Sequence, residues 1–191
     1  MTKGHKREMT RHGLAALMAL LIFTSCSTAQ DAPDNLAETE TPTIQLPQIA
    51  EGVKADRILV DKSDRVLILF KGEEEIARYS KIRFGDAPEG HKHFEGDEKT
   101  PEGKYTIDGR NPGSAFHLSL RVSYPNAADR AYAEAQGRSP GGDIFIHGQP
   151  NGYDGTPIAR DWTDGCIALS NAEMEQIWDV VPNGAEIEIR P

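Results

Sequence analysis

Apolar and polar residues alternate along most of this chain with the short period of strands. Residues 58–60 and 66–70 are apolar runs on either side of the polar turn 61–64, and residues 75–84 alternate with period two, which predicts an antiparallel meander. A long polar loop, residues 85–103, follows. The strand pattern then resumes at 104–108 and 116–124, reads as a buried strand at 143–147, and closes with a strand at 186–190. Two stretches depart from it. Residues 126–136 are Ala-rich with Gly137 just beyond, a short helix with a glycine stop. Ser170 and Glu173 form a capping box ahead of Met174, Ile177 and Val180, opening a second helix that Pro182 and Gly184 end. The sum is a mainly β domain with two short helices, and the Gly and Pro punctuation between strands favours a sandwich or barrel. About 140 residues from Val53 onward suffice for one domain with a single core.

The N-terminus has another character. Lys3, Lys6, Arg7 and Arg11 precede the apolar run 14–23, which is too short to cross a bilayer and has the form of a secretory signal. Phe23-Thr24-Ser25-Cys26 resembles the lipobox of bacterial lipoproteins, in which residues 1–25 are removed and Cys26 becomes the acylated N-terminus. An ordinary cleaved signal with an unmodified Cys26 is the alternative. Ser27 resembles the sorting context for the outer membrane, so the expected location is the periplasm, lipid-anchored in the inner leaflet of that membrane. Residues 27–52 contain no Lys or Arg and little to bury, which predicts a flexible acidic tether (26–52) before a folded domain at 53–191.

Charge narrows the partners. The chain carries 21 Lys and Arg against 30 Asp and Glu; without residues 1–25, which hold four basic and one acidic residue, 17 face 29, a net charge of −12. Such a polyanion has no electrostatic reason to hold nucleic acid or an anionic lipid surface, so contact with the membrane falls to the lipid anchor alone. With Cys26 acylated, Cys166 has no partner for an intramolecular disulfide. An unpaired thiol in an oxidising compartment is either buried or catalytic.

Its surroundings favour catalysis. Ile144-Phe145-Ile146-His147-Gly148 ends nineteen positions before Cys166 when counted from His147, and the intervening segment carries Pro150, Asn151-Gly152, Asp154-Gly155 and Pro157, turn-forming residues that fold a loop back on itself. A free thiol with a pKa of about 8.5 is mostly protonated at neutral pH, so a nucleophilic cysteine needs a neighbour to withdraw its proton. His147 is that neighbour. Gly165 leaves the Cys166 amide open to a substrate carbonyl, an oxyanion arrangement in which each donor lowers an acyl-transfer barrier by roughly 3 kcal/mol. Spacing alone still leaves a buried structural thiol as an alternative.

Taken together, Ile146-His147-Gly148, Thr163-Asp164-Gly165-Cys166-Ile167 and the upstream Thr100-Pro101-Glu102-Gly103-Lys104-Tyr105 resemble the L,D-transpeptidase catalytic domain (YkuD-like) family over residues 56–190. The resemblance implies a β-sandwich-like fold and a cysteine that attacks meso-diaminopimelate peptide stems of peptidoglycan through a thioester, with no metal and no organic cofactor. By position, Cys166 is the nucleophile, His147 its base, and the Gly148 carbonyl the orienter of the imidazole. The family's commonest motif has His where Asp164 stands and Arg or Asn where Ala168 stands. Asp164 therefore either orients an amine of the diaminopimelate side chain or caps a turn. The variant resembles a branch with amidase-like members that cut peptidoglycan links to lipoproteins. Three readings follow: a transpeptidase, a hydrolytic amidase or carboxypeptidase of the same fold, and a non-catalytic peptidoglycan-binding lipoprotein, the last disfavoured by an intact Cys166 and His147.

The remaining candidates have plainer readings. His91 and His93 flank Lys92 without a third ligand at metal-site spacing and read as a solvated loop. His117 reads as a partly buried, hydrogen-bonded strand residue. Arg160 is placed to hold a stem carboxylate, and Trp162 to pack in the loop that leads to Cys166.

Overall fold

A computed structural model describes residues 45–191; the signal segment, Cys26 and most of the tether lie outside the described residues. The chain forms β1 (Arg57–Asp61), β2 (Val66–Lys71), β3 (Glu74–Ser80), β4 (Gly103–Asn111), β5 (Ser119–Val122), α1 (Ala127–Ala135), β6 (Phe145–His147), β7 (Ile167–Ala168), α2 (Asn171–Val180) and β8 (Glu186–Arg190). The strands make one sheet in the order β3-β2-β1-β8-β4-β5-β6-β7. It is the mainly β, two-helix architecture that the alternation predicts.

β4 is the corner of this sheet. Residues 103–106 pair with β8 and residues 107–111 with β5, with a register shift between Ile107 and Gly109, so one long strand serves both halves and the sheet curls. Most neighbours are antiparallel, but β1 and β8 run parallel, and so do β6 and β7. A parallel pair requires a crossover. For β6 and β7 the crossover is the long loop between His147 and Ile167, and it has no helix within it.

The period-two positions supply the core: Ile58 and Val60, Leu67 and Leu69, Leu120 and Val122, and Ile187 and Ile189 are all essentially inaccessible and share one cluster with Met174 and Ile177 of α2. Each such side chain contributes about 1.5–3 kcal/mol on burial. Both helices begin with capping boxes, Asn126 with Asp129 and Ser170 with Glu173.

Four local expectations change. The third strand stops at Ser80 because Lys81 adopts a left-handed φ of 62°, and the strand expected at 116–124 shrinks to Ser119–Val122 because His117 does the same at 67°. The folded unit reaches upstream of Val53: Ile49 packs on the core and Gln176 Nε2 donates to the Pro47 carbonyl at 2.9 Å. Finally, the polar loop 85–103 is not simply solvated, since Lys92 and Thr100 within it are buried.

Candidate active site

β6 carries His147, and β7 begins one residue after Cys166. Their register pairs Ile146 with Ile167 and His147 with Ala168, which sets Cys166 opposite Phe145. Side chains alternate along a strand, so Phe145, His147 and Cys166 share one face. The Phe145 N–H donates to Cys166 Sγ at 3.4 Å, and the thiol donates to the Asp143 carbonyl at the same distance. His147 and Cys166 both line one cavity of about 430 Å³.

His147 is 3% exposed. Its Nδ1 donates to the Gly148 carbonyl at 2.7 Å, which puts the lone pair of the neutral ring on Nε2. The ring sits 4.7 Å from Phe116 and 5.5 Å from Trp162, centroid to centroid. Burial pushes its pKa below the ordinary 6.5, opposed by the Gly148 hydrogen bond, so at neutral pH it is an uncharged base. Glycine at 148 avoids a clash: a Cβ there would stand 2.6 Å from Asn171 Oδ1 and 3.0 Å from His117 Cβ.

The turn before the thiol is built by Thr163, whose hydroxyl accepts from the Gly165 N–H at 3.3 Å and donates to the Cys166 carbonyl at 2.8 Å. Gly165 has φ 116°, and a Cβ there would lie 2.4 Å from the Lys99 carbonyl oxygen. Asp161 anchors the loop leading to this turn. It accepts from the Phe84 N–H at 3.0 Å and takes a two-point ion pair from Arg65 at 2.7 and 2.8 Å.

Electrostatics runs against a resting thiolate. Burial pushes the Cys166 thiol up to about 11, with the Asp164 and Asp143 carboxylates adding to it; the Phe145 N–H and Lys92 act the other way. The cavity wall bears Glu95, Glu98, Asp143 and Asp164 against one cation, Lys92. At neutral pH the pair is thiol plus neutral imidazole.

Other expectations are sorted by position. Asp164 is on the cavity wall, but Arg160 is exposed and outside it, directed to solvent beside the anchored Asp161. The wall's cation is Lys92, 3% exposed, with Nζ on Asp97 at 2.9 Å and on the Phe94 carbonyl at 3.0 Å. His91 is structural: Nε2 meets Asp129 at 3.1 Å while Nδ1 accepts from the Glu102 N–H, and His93 stacks on Tyr132 at 4.3 Å. Among the described residues no group of three or more His, Cys, Asp or Glu side chains is placed to hold a metal. His117 is hydrogen-bonded as expected, to Glu175 at 2.8 Å. Sequence reasoning missed Asp143, Phe116 and Lys92 on the wall. Only Asp143, polar at the head of the stretch expected to form a buried strand, left any signal.

A cysteine turn and a histidine strand, adjacent in a curled, mainly β sheet and opening on one cavity, define the class of domain. The YkuD model, the L,D-transpeptidase catalytic domain, matches residues 55–189, and the chain belongs to that family. Over 130 residues it is 31% identical to YafK of Escherichia coli (strain K12), itself only provisionally named an L,D-transpeptidase, covering 65% of this chain and 46% of that protein. Among solved structures it resembles the helical cell shape determining protein Pgp2 from Campylobacter jejuni, at 29% identity and a TM-score of 0.57, covering 76% of this chain and 50% of that one. It also resembles Bd1075 of Bdellovibrio bacteriovorus, at 29% identity and a TM-score of 0.50, covering 75% of this chain and 51% of that one. The chain thus spans about half the length of these relatives.

Proposed function

We propose that this protein is a cysteine acyltransferase of the cell wall that acts on meso-diaminopimelate peptide stems of peptidoglycan, with Cys166 as nucleophile and His147 as base. The observation that carries the reading is the placement of both side chains on one strand face at one cavity. As Sγ attacks the stem carbonyl carbon, its proton passes to His147 Nε2, the C–S bond forms and the carbonyl electron pair moves to oxygen. Collapse of that intermediate breaks the C–N bond, and the leaving amine takes the proton from the imidazolium. An incoming amine or water then attacks the thioester and its proton returns through His147 to sulfur. The Cys166 N–H serves the oxyanion, Gly148 orients the base, and Asp164 attracts an amine. The acidic wall favours an amine acceptor, hence transfer over hydrolysis. Likeness to a cell-shape-determining protein supports wall remodelling as the setting. Lipid attachment at Cys26, with Ser27 directing the protein to the outer membrane, keeps it in the periplasm beside its substrate.

Incubating purified sacculi with wild type, Cys166→Ser and His147→Asn, then weighing the released muropeptides, tests this. New cross-links in wild type alone are expected. Shortened or freed stems would assign hydrolysis instead. Equal products from wild type and Cys166→Ser would eliminate the cysteine mechanism.

A further inference from the structure

The Thr100-Pro101-Glu102-Gly103 segment lies far from the thiol in sequence and has no part in the chemistry described so far. In the fold it presses on the nucleophile turn. Thr100 is 0% exposed and its hydroxyl donates to the Gly165 carbonyl at 2.9 Å. Its own carbonyl accepts from Lys62 Nζ at 3.3 Å, and the same ammonium holds Glu102 at 2.7 Å and the Gly90 carbonyl at 2.7 Å. The segment is therefore clamped from behind by a lysine that is itself buried, 6% exposed.

We propose that Thr100 is a positioning residue that sets the direction and strength of the Cys166 N–H as an oxyanion donor. The Gly165 carbonyl and the Cys166 N–H belong to one planar trans peptide group and point in opposite directions, so fixing the first aims the second. Glycine is required at 165 for the close approach to Lys99, yet glycine also leaves that peptide plane the freest to rotate. The Thr100 hydroxyl removes this freedom. Hydrogen bonding to the carbonyl also polarises the amide and makes its N–H the stronger donor. The partners in the turn leave one group over: among the described residues the Gly165 N–H and Cys166 carbonyl are taken by Thr163 and the Gly165 carbonyl by Thr100, whereas the Cys166 N–H has no acceptor in the protein. A donor held but unanswered at a cavity wall is what a developing oxyanion needs.

This inference rests on the acyl-transfer reading, and its test separates the two. Wild type, Thr100→Val, Thr100→Ser and Cys166→Ala are compared in two reactions: turnover of a diaminopimelate-containing stem tetrapeptide, and alkylation of Cys166 by iodoacetamide, which develops no acyl oxyanion. Thr100→Val is expected to lower kcat about ten- to a hundredfold with KM little changed, to alkylate within about twofold of wild type by the same reasoning, and to be largely rescued in Thr100→Ser. If Thr100→Val turns over as wild type does, or if alkylation falls in step with turnover, the positioning role is wrong and Thr100 only supports the turn. Should the valine variant fail to fold, Thr100→Ala removes the hydroxyl without setting a methyl group against the carbonyl and carries the same comparison. Full turnover by Cys166→Ala would instead sink the acyl-transfer reading itself, whatever Thr100 does.

Discussion

Phe145 donates its backbone N–H to the sulfur of Cys166 at 3.4 Å, one strand across from the thiol and two residues before His147. That bond favours the thiolate, but burial and the carboxylates of Asp164 and Asp143 outweigh it and hold the proton on sulfur. A neutral thiol at the same cavity as a neutral base reacts only slowly with adventitious electrophiles. In the proposed mechanism, reaction begins only when a carbonyl is in place to receive the sulfur while His147 takes its proton.

The pH dependence follows from the two shifts. Turnover per KM should rise along one acid limb with its midpoint below 6.5, where His147 loses its proton, and show no second rise near the ordinary thiol value of 9.0. Iodoacetamide alkylation of the free enzyme should keep increasing towards pH about 11. Alkylation already level at pH 6 would mean a resting ion pair. Stability has the matching signs. The lowered His147 value gives a contribution present above 6.5 and lost as pH falls below it, and the raised Cys166 value gives one present below 9.0 and lost as pH rises towards about 11.

Asp164→Asn and Asp143→Asn each remove a carboxylate that opposes the thiolate. Each should speed alkylation at pH 7.5 by about two- to tenfold, the double variant more than either, with the gain shrinking in high salt because both side chains are exposed. Unchanged rates would show that burial alone sets the thiol. Asp164→Asn should in addition raise the apparent KM for an amine acceptor.

Gly148→Ala drives a methyl group against Asn171 Oδ1 and His117 Cβ. Something must move, at about 1–3 kcal/mol of stability, and the carbonyl that orients the imidazole moves with it. Thermal unfolding together with stem turnover checks this, turnover falling about a hundredfold from misplacement of the base. Wild-type turnover in this variant would deny Gly148 its orienting role.

The Arg65–Asp161 pair ties the β1–β2 turn to the loop before Cys166. Asp161→Asn should cost about 1–2 kcal/mol at pH 7, the lower part of the range for charged hydrogen bonds because the Arg65 side chain is 36% exposed. Burial raises the Asp161 pKa, but Arg65 and the Phe84 N–H lower it further, to a net value below 3.8, so its contribution is present above 3.8 and lost as pH falls below it. Urea unfolding at pH 7 and pH 3 should therefore show the gap between variant and wild type closing in acid.

Much of the fold was legible because strands with one buried face write their period into the chain, as in β3 and β8, because β1 and β2 are short apolar runs, and because Ser170 with Glu173 marks a helix start locally. β7 was not, since two residues are too few to show a period and it exists only through pairing with β6 and the bridge from Ala168 to Arg83. Strand ends were misjudged where Lys81 and His117 take left-handed backbone, which their side chains do not announce. At the site, His147 and Cys166 could be singled out from residue type and flanking glycines. Lys92 and Phe116 could not, because what brings them to the cavity is the packing of segments distant in sequence.

The sequence by itself determined the strand period, the cap of the second helix and the choice of Cys166 and His147 as candidates, since each depends on residues within a few positions of one another or on chemistry intrinsic to a side chain. Tertiary structure alone decided the charge state of that thiol, the cation on its wall and the hold of Thr100 on Gly165. Those depend on burial and on distances across the sheet, which arise only when the chain closes on itself.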